Sequence, residues 1–298
     1  MNAIAIDLGG TKIAAARVDA KGNILARARC ATPASEGRAA MLDAMAGLVE
    51  ELRDDTVQGI GLGTVGVIDT DRGVVLRAND TVVGWQGTDI VSEMRARTGF
   101  ERIRAVNDVN AHARGEAWLG AARGKDSVLV IAVGTGIGGC WLKGGTPHAG
   151  AHYVAGHYGD VYVPHDLGGA HQLEAVASGP AIFKHYQALG GNPALADTRA
   201  VFEAYAHDAI AKRVIDTAAR VIGIALASIS HAIDPEVIVY GGGLADAPAW
   251  WWDAIAASYR EHALLPLRDL PFAKAALGTD AALIGAASLI LGENADAR

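Results

Sequence analysis

Apolar side chains along this chain recur with two periods, and the switches between them mark the elements. Short β-rich runs fill residues 3–7 and 12–18, joined by Leu8-Gly9-Gly10-Thr11, which predicts a hairpin closed by a glycine turn. Asn23 to Arg29 continues as a third strand. From Gly37 to Arg53, Met41, Leu42, Met45, Leu48, Val49 and Leu52 fall at helical spacing and predict an amphipathic helix. Val57 to Gly63 reads as a strand and Thr88 to Thr98 as a helix. Ile103 to Val106 reads as a strand ending at Asn107-Asp108, with a helix following to about Leu119.

A second cycle then begins. Ser127 to Val133 is an apolar strand, Gly134 to Gly139 a second glycine turn, and Cys140-Trp141-Leu142 the returning arm. Ala175 to Leu189 and Asp208 to Ile233 read as helices, and Val237 to Tyr240 as a buried strand closed by Gly241-Gly242-Gly243. A helix after Pro248 carries Trp250, Trp251 and Trp252. Helical spacing cannot put three consecutive rings on one face, so they read as core and interface. Asp280 to Leu291 closes the chain as an apolar helix. Strands alternating with helices predict α/β layers, and the repeated glycine-turned hairpin predicts a duplicated fold with a cleft between its halves. Residues 141–173 break the pattern. Histidines, glycines and tyrosines crowd there, as in an irregular loop, and a long loop in a compact domain is usually functional or disordered.

Bulk properties narrow the partners. The 298 residues are 51% hydrophobic and 20% charged, which fits about two globular domains and argues against disorder. The net charge of −7 is interspersed, with no basic run to suggest nucleic acid. Glycines, helix ends and Mg²⁺ still let an acidic protein bind phosphates. Cys30 and Cys140 alone make no disulfide framework. The N-terminus lacks the features of a signal peptide and no run of about 18 apolar residues appears, so neither a membrane span nor export is expected, and the cytoplasm is the expected compartment.

Several residues suit phosphoryl chemistry. In Asp7-Leu8-Gly9-Gly10-Thr11-Lys12, glycine backbone can approach phosphate oxygens, Thr11 offers a hydroxyl, Lys12 a charge, and Asp7 a ligand for Mg²⁺. A plain hairpin turn explains the segment equally well, and it is no Walker motif. Gly134, Thr135, Gly136 and Gly138 belong to a second anion-binding candidate, and the pairing of two such turns is more specific than either one. Asp108 stands at the carboxyl end of a strand, where open α/β sheets bind ligands, and could take a proton from a hydroxyl. Asn107 suits a sugar hydroxyl; either residue could instead be a helix N-cap. Gly242 and Gly243 could let an adenine ring lie on bare backbone, or simply form a loop.

Together these motifs resemble the ROK family (repressors, open reading frames and kinases), which contains bacterial glucokinases and N-acetylhexosamine kinases. The resemblance covers nearly the whole chain. Asp7 to Lys12 and Gly134 to Gly139 are similar to the family's two phosphate loops. Gly61 to Asp69 resembles its glycine-rich turn, with Val65 where proline is usual. Asn79 to Trp85 resembles the segment whose asparagine touches sugar. Asn107-Asp108-Val109-Asn110 resembles the catalytic-base motif, and Glu174 to Gly179 the segment with a sugar-binding glutamate. The resemblance implies a duplicated actin-like ATPase (ribonuclease H-like) fold. Its first domain would span residues 1–118, completed by the helix at 280–298. The second would span 119–279 and carry the His-rich loop 141–173. It also implies ATP and Mg²⁺ as cofactors, a sugar substrate and a homodimer. The repressors' DNA-binding domain has no counterpart before Asp7, so the chain resembles the kinases.

Two departures stand out. Where the family has Glu-x-Gly-His, with glutamate on the sugar and histidine on zinc, this chain has Val154-Ala155-Gly156-His157. Valine cannot accept a hydroxyl proton, so the substrate is expected to differ from glucose at that hydroxyl. The family's cysteine cluster becomes His165 to Glu174, with no thiolate. His157, His165 and His171 are the remaining zinc candidates. Loss of all three sulfur ligands removes the usual closed site, so zinc is not expected and His157 is assigned to the sugar or to loop order.

The expected reaction is in-line transfer from MgATP, with Asp108 as base, the two glycine turns and Lys12 on phosphate, and Asn79, Asn107 and Glu174 orienting the substrate, whose acceptor is a primary hydroxyl equivalent to the hexose 6-OH. N-acetylmannosamine in place of glucose, polyphosphate in place of ATP, and a non-catalytic sugar or nucleotide sensor are the alternatives.

Overall fold

The computed structural model describes residues 1–78, 82–164 and 168–292. Its strands are β1 (Asn2–Leu8), β2 (Lys12–Asp19), β3 (Ile24–Ala31), β4 (Val57–Thr64), β5 (Val67–Asp69), β6 (Val74–Arg77), β7 (Ile103–Asn107), β8 (Ser127–Val133), β9 (Ile137–Lys143), β10 (Thr146–Pro147), β11 (Tyr162–Pro164), β12 (Ala170–Gln172), β13 (Val237–Gly241) and β14 (Phe272–Lys274). Its α-helices are α1 (Arg38–Leu52), α2 (Ile90–Thr98), α3 (Asp108–Leu119), α4 (Leu173–Ala177), α5 (Gly179–Ala188), α6 (Thr198–Ala204), α7 (Ala209–Ile233), α8 (Ala249–His262) and α9 (Ala281–Leu291). Two compact units result. One takes Met1–Gly124, Gly145–Ala155 and the chain from Ala276 on; the other takes Lys125–Gly144 and Gly156–Ala275. Part of the His-rich stretch, 145–155, thus groups with the first unit.

Both units repeat one topology. In the first the sheet order is β3-β2-β1-β4-β7, with β1 antiparallel to β2 and parallel to β4, and β4 parallel to β7. In the second β9-β8-β13-β14 run in order, β8 antiparallel to β9 and parallel to β13, with β14 parallel to β13. A glycine-turned hairpin feeding parallel strands is therefore used twice, which is the duplicated α/β fold of the actin-like ATPases.

In the first unit β1 is buried on both faces, so its sequence does not alternate apolar with polar. Ile4, Ile6 and Leu8 share a core with Met41, Leu42 and Met45 of α1. Ala3 and Ala5 pack with Leu283, Ala286 and Ala287 of α9. Small residues let α9 lie close to its neighbours. A Cβ on Gly61 would sit 1.8 Å from the Ala286 carbonyl oxygen, and one on Gly285 would sit 1.7 Å from that of Ala111 in α3. Glu116, fully buried on α3, accepts N–H groups from Ala121 (2.7 Å), Ala276 (3.0 Å) and Leu277 (2.9 Å). That carboxylate ties the chain entering α9 to α3, and α3 is the helix that begins with Asp108.

The second unit is built around α7 and α8. By length and composition α7 could cross a membrane, but Val214, Ile215, Val221, Ile222 and Leu226 lie in the unit's core. Trp251 and Trp252 are buried, while half-buried Trp250 stacks on Tyr205 at 4.0 Å, so the three rings do divide between faces. The single helix expected over 175–189 is two helices, α4 and α5. Pro180 has no N–H to continue the first helix, and Ser178 caps the second by accepting the Ala181 N–H. The hairpins β5–β6 and β11–β12 and helix α6 are not among the elements expected from the sequence. Each strand of these hairpins has only three or four residues, too few to show a period.

Candidate active site

In the first unit the candidate residues gather at the carboxyl ends of β1, β4 and β7. The strand register places Asp7 beside Gly63, Gly63 beside Val106, and Thr64 beside Asn107. Gly63 has to be bare: its Cβ would lie 3.0 Å from the Ala111 Cβ and 3.6 Å from the Asp108 Cα, where α3 settles on β4. Asn107 caps α3, accepting the N–H of Val109 at 2.9 Å and of Asn110 at 3.4 Å, and donates its amide to the Gly66 carbonyl at 2.9 Å. The side chain considered for sugar binding is thus used chiefly in setting the helix start, with one amide hydrogen left over.

Asp108 accepts the Val109 N–H at 2.9 Å. Burial pushes its carboxyl up to about 6, the charge of Asp7 adds to the rise, and the Val109 N–H opposes it. Asp7 is also raised by burial, with Lys12 pulling the other way. Two crowded carboxyls beside one lysine suit a hard divalent cation, since Mg²⁺ prefers carboxylate oxygen and keeps its waters. The adjoining turn is closed by the Gly9 N–H donating to the Lys12 carbonyl at 3.1 Å. Thr32 steadies it through its N–H to the Thr11 carbonyl (3.1 Å) and its hydroxyl to the Gly9 carbonyl (2.8 Å). Gly10, Thr11 and Lys12 remain exposed.

In the second unit, Gly134, Thr135 and Gly136 form the turn from β8 to β9, while Gly138, also expected in the turn, lies in β9 opposite Ala132. Gly242 and Gly243, after β13, meet this turn. A Cβ on Gly134 would lie 3.1 Å from the Gly243 nitrogen, and Gly242, at φ 83°, has no room for one against the Val133 backbone, its oxygen being 2.5 Å away. The Gly179 N–H, opening α5, donates to the Gly134 carbonyl at 2.8 Å. Glu174 on α4 accepts the Ile137 N–H at 2.8 Å. His157 directly precedes the turn at Tyr158–Asp160, and the Tyr158 ring packs over Gly139.

Val154 is 54% exposed, on the segment that groups with the first unit. Its neighbour Tyr153, at φ 59°, donates its hydroxyl to Asp71 on the β5–β6 turn at 2.8 Å. Asn79 and His165 lie outside the described residues. His171 is exposed, with Nε2 3.3 Å from the Gly168 carbonyl. Among the described residues no three His, Cys, Asp or Glu side chains gather closely enough to hold a metal ion. Glu116, the anchor behind Asp108, is not among the residues expected from the sequence. Its available signal was a carboxylate on the apolar face of a predicted helix.

The ROK family model matches residues 3–293. A glucokinase of Thermotoga maritima is 30% identical over 312 residues, covering 96% of this chain and 96% of its own. An N-acetylmannosamine kinase of Escherichia fergusonii is 32% identical over 314 residues, covering 98% and 99%. A ROK family glucokinase from Streptomyces griseus, solved in complex with glucose and AMPPNP, matches with a TM-score of 0.79 at 30% identity, covering 97% of this chain and 99% of that one.

Proposed function

Since this chain belongs to the ROK family and is an ATP-dependent sugar kinase, we propose that it transfers the γ-phosphoryl group to the 6-OH of a hexose or N-acylhexosamine. The observation that carries the chemistry is Asp108. A carboxyl held at about 6 is ionised at neutral pH yet keeps enough proton affinity to act as a base. It stands at the first turn of α3, at the carboxyl ends of parallel strands, where α/β sheets place ligands. The Asp108 carboxylate takes the hydroxyl proton. The hydroxyl oxygen bonds to the γ-phosphorus, the bond to the β–γ bridging oxygen breaks, and ADP leaves with that electron pair.

The other residues position and neutralise. Backbone N–H groups of Gly10 and Thr11 and of Thr135 and Gly136 are assigned to phosphate oxygens, since those of Gly9, Gly134 and Ile137 already donate within the protein, and Lys12 adds charge. Asp7 would hold Mg²⁺, which neutralises the charge that develops on the transferring phosphate. Gly242 and Gly243 are assigned to the nucleotide because they meet the second glycine turn.

The acceptor is narrowed by Val154. An exposed valine stands where the family has a sugar-reading glutamate, so glucose loses one charged hydrogen bond there, worth roughly 1.5–3 kcal/mol. An N-acylhexosamine such as N-acetylmannosamine is the competing acceptor, and one of the relatives above is named for it. A coupled ADP-release assay over glucose, mannose, N-acetylglucosamine and N-acetylmannosamine is the test. Sustained turnover with at least one of them is expected. Calorimetric sugar or nucleotide binding with no ADP release from any sugar would replace the kinase with a sensor.

A further inference from the structure

The glycine turn at 134–136 is not held by its own backbone alone. One oxygen of the Glu174 carboxylate, Oε2, accepts the Ile137 N–H at 2.8 Å, at the point where the turn enters β9. The fit is close on both sides. A Cβ on Gly136 would lie 2.6 Å from that same oxygen. A Cβ on Gly159 would lie 2.3 Å from the Ile137 carbonyl oxygen and 3.3 Å from Glu174 Oε2. The segment after His157, the turn, and α4 therefore meet at one carboxylate. The other oxygen, Oε1, accepts no hydrogen bond from any described residue, and the Glu174 side of α4 is exposed.

We propose that Glu174 is a positioning residue that couples the acceptor to the nucleotide loop, with Oε2 fixing the 134–136 turn where it enters β9 and Oε1 left for an acceptor hydroxyl. The inference rests on the sugar-kinase reading above and deepens it. A ligand to the sugar alone would not need to grip the turn. Through the shared carboxylate, a hydroxyl hydrogen-bonded at Oε1 restrains the group that holds Ile137. Acceptor and nucleotide then bind cooperatively, because each orders the side chain that the other uses.

The test is calorimetric titration of the full chain with Mg-AMPPNP, with and without the best acceptor from the sugar panel. In Glu174→Ala the turn loses a charge-assisted hydrogen bond, so AMPPNP without acceptor should bind about tenfold more weakly. Glu174→Gln keeps a carbonyl oxygen able to accept the Ile137 N–H. It should bind AMPPNP within about threefold of the parent while its acceptor KM rises. Gly136→Ala attacks the same contact from the turn and should reproduce the alanine effect, and the double variant should be no worse than the poorer single one. Unchanged AMPPNP affinity in Glu174→Ala with only the acceptor KM altered overturns the proposal, as do fully additive effects in the double variant. Failure of the sugar-kinase reading would show in the parent protein, as absent nucleotide binding or no ADP release with any sugar, and would overturn the proposal with it.

Discussion

Replacing Asp108 by asparagine should destroy turnover and stabilise the protein at the same time. The carboxyl sits at about 6 instead of the ordinary 3.8. Each tenfold change in proton affinity is worth about 1.4 kcal/mol, so ionised Asp108 costs the folded state roughly 3 kcal/mol at pH 7.5. The sign follows from the direction of the rise. The folded protein holds this proton more tightly than the unfolded chain. Its stability contribution is complete below 3.8 and is lost as pH climbs through 6. Asparagine never ionises, and its carbonyl still accepts the Val109 N–H that Asp108 accepts at 2.9 Å. Urea denaturation of Asp108→Asn against the parent should therefore show a gain approaching 3 kcal/mol at pH 7.5 that shrinks toward zero near pH 4. The same variant should lose about 10²–10⁴-fold in kcat with AMPPNP affinity intact. A variant with near-normal turnover would remove Asp108 as the base. A stability difference that does not change with pH would refute burial as the cause of the raised carboxyl.

Other consequences follow from the same geometry. The profile of log kcat/KM should rise with pH through about 6. In Asp7→Asn the inflection should fall, because one negative charge facing Asp108 is gone; an unmoved inflection breaks the pairing of these two carboxyls. Glu116→Ala strands three backbone N–H groups and should lose about 3 kcal/mol or more in denaturant titrations, with Glu116→Gln milder; a loss under 1 kcal/mol would show that the carboxylate is not the anchor of α9. Gly285→Ala drives a methyl to 1.7 Å from the Ala111 carbonyl oxygen and should cost about 1–3 kcal/mol while lowering kcat through displacement of α3, which stability and turnover measurements on one preparation will reveal.

Much of this was legible because local chemistry announced it. The hairpins at residues 3–18 and 127–142 declared themselves by β-rich runs around glycines, and the two sheets repeat one strand order accordingly. Asn107-Asp108 stood at a visible switch from strand to helix. The competing cap reading describes Asn107, whose side chain accepts two helix N–H groups, while Asp108 follows as the first helical residue. What stayed hidden depends on contacts between distant segments. Nothing near Gly285 or Gly61 in the chain says that each lies under another segment's carbonyl. Glu116 showed only as a carboxylate on an apolar helix face, and two of its partners, at residues 276 and 277, lie far along the chain. The break at Ser178-Gly179-Pro180 was readable from proline's missing N–H, but the apolar spacing across it masked the boundary. Glu174 was expected to face a sugar, and its bond to Ile137 lies 37 positions away along the chain, beyond any local pattern.

Phosphorus NMR of the reaction mixture probes the central claim most directly. With Mg-ATP and the acceptor that turns over fastest, the ATP γ signal should be replaced, mole for mole with ADP, by a phosphomonoester coupled to the protons on carbon 6 of the sugar. Over the time in which the parent consumes its ATP, Asp108→Asn should leave nearly all of it unreacted. Inorganic phosphate as the product in place of a sugar phosphate, or equal ester formation by the asparagine variant, would contradict the account.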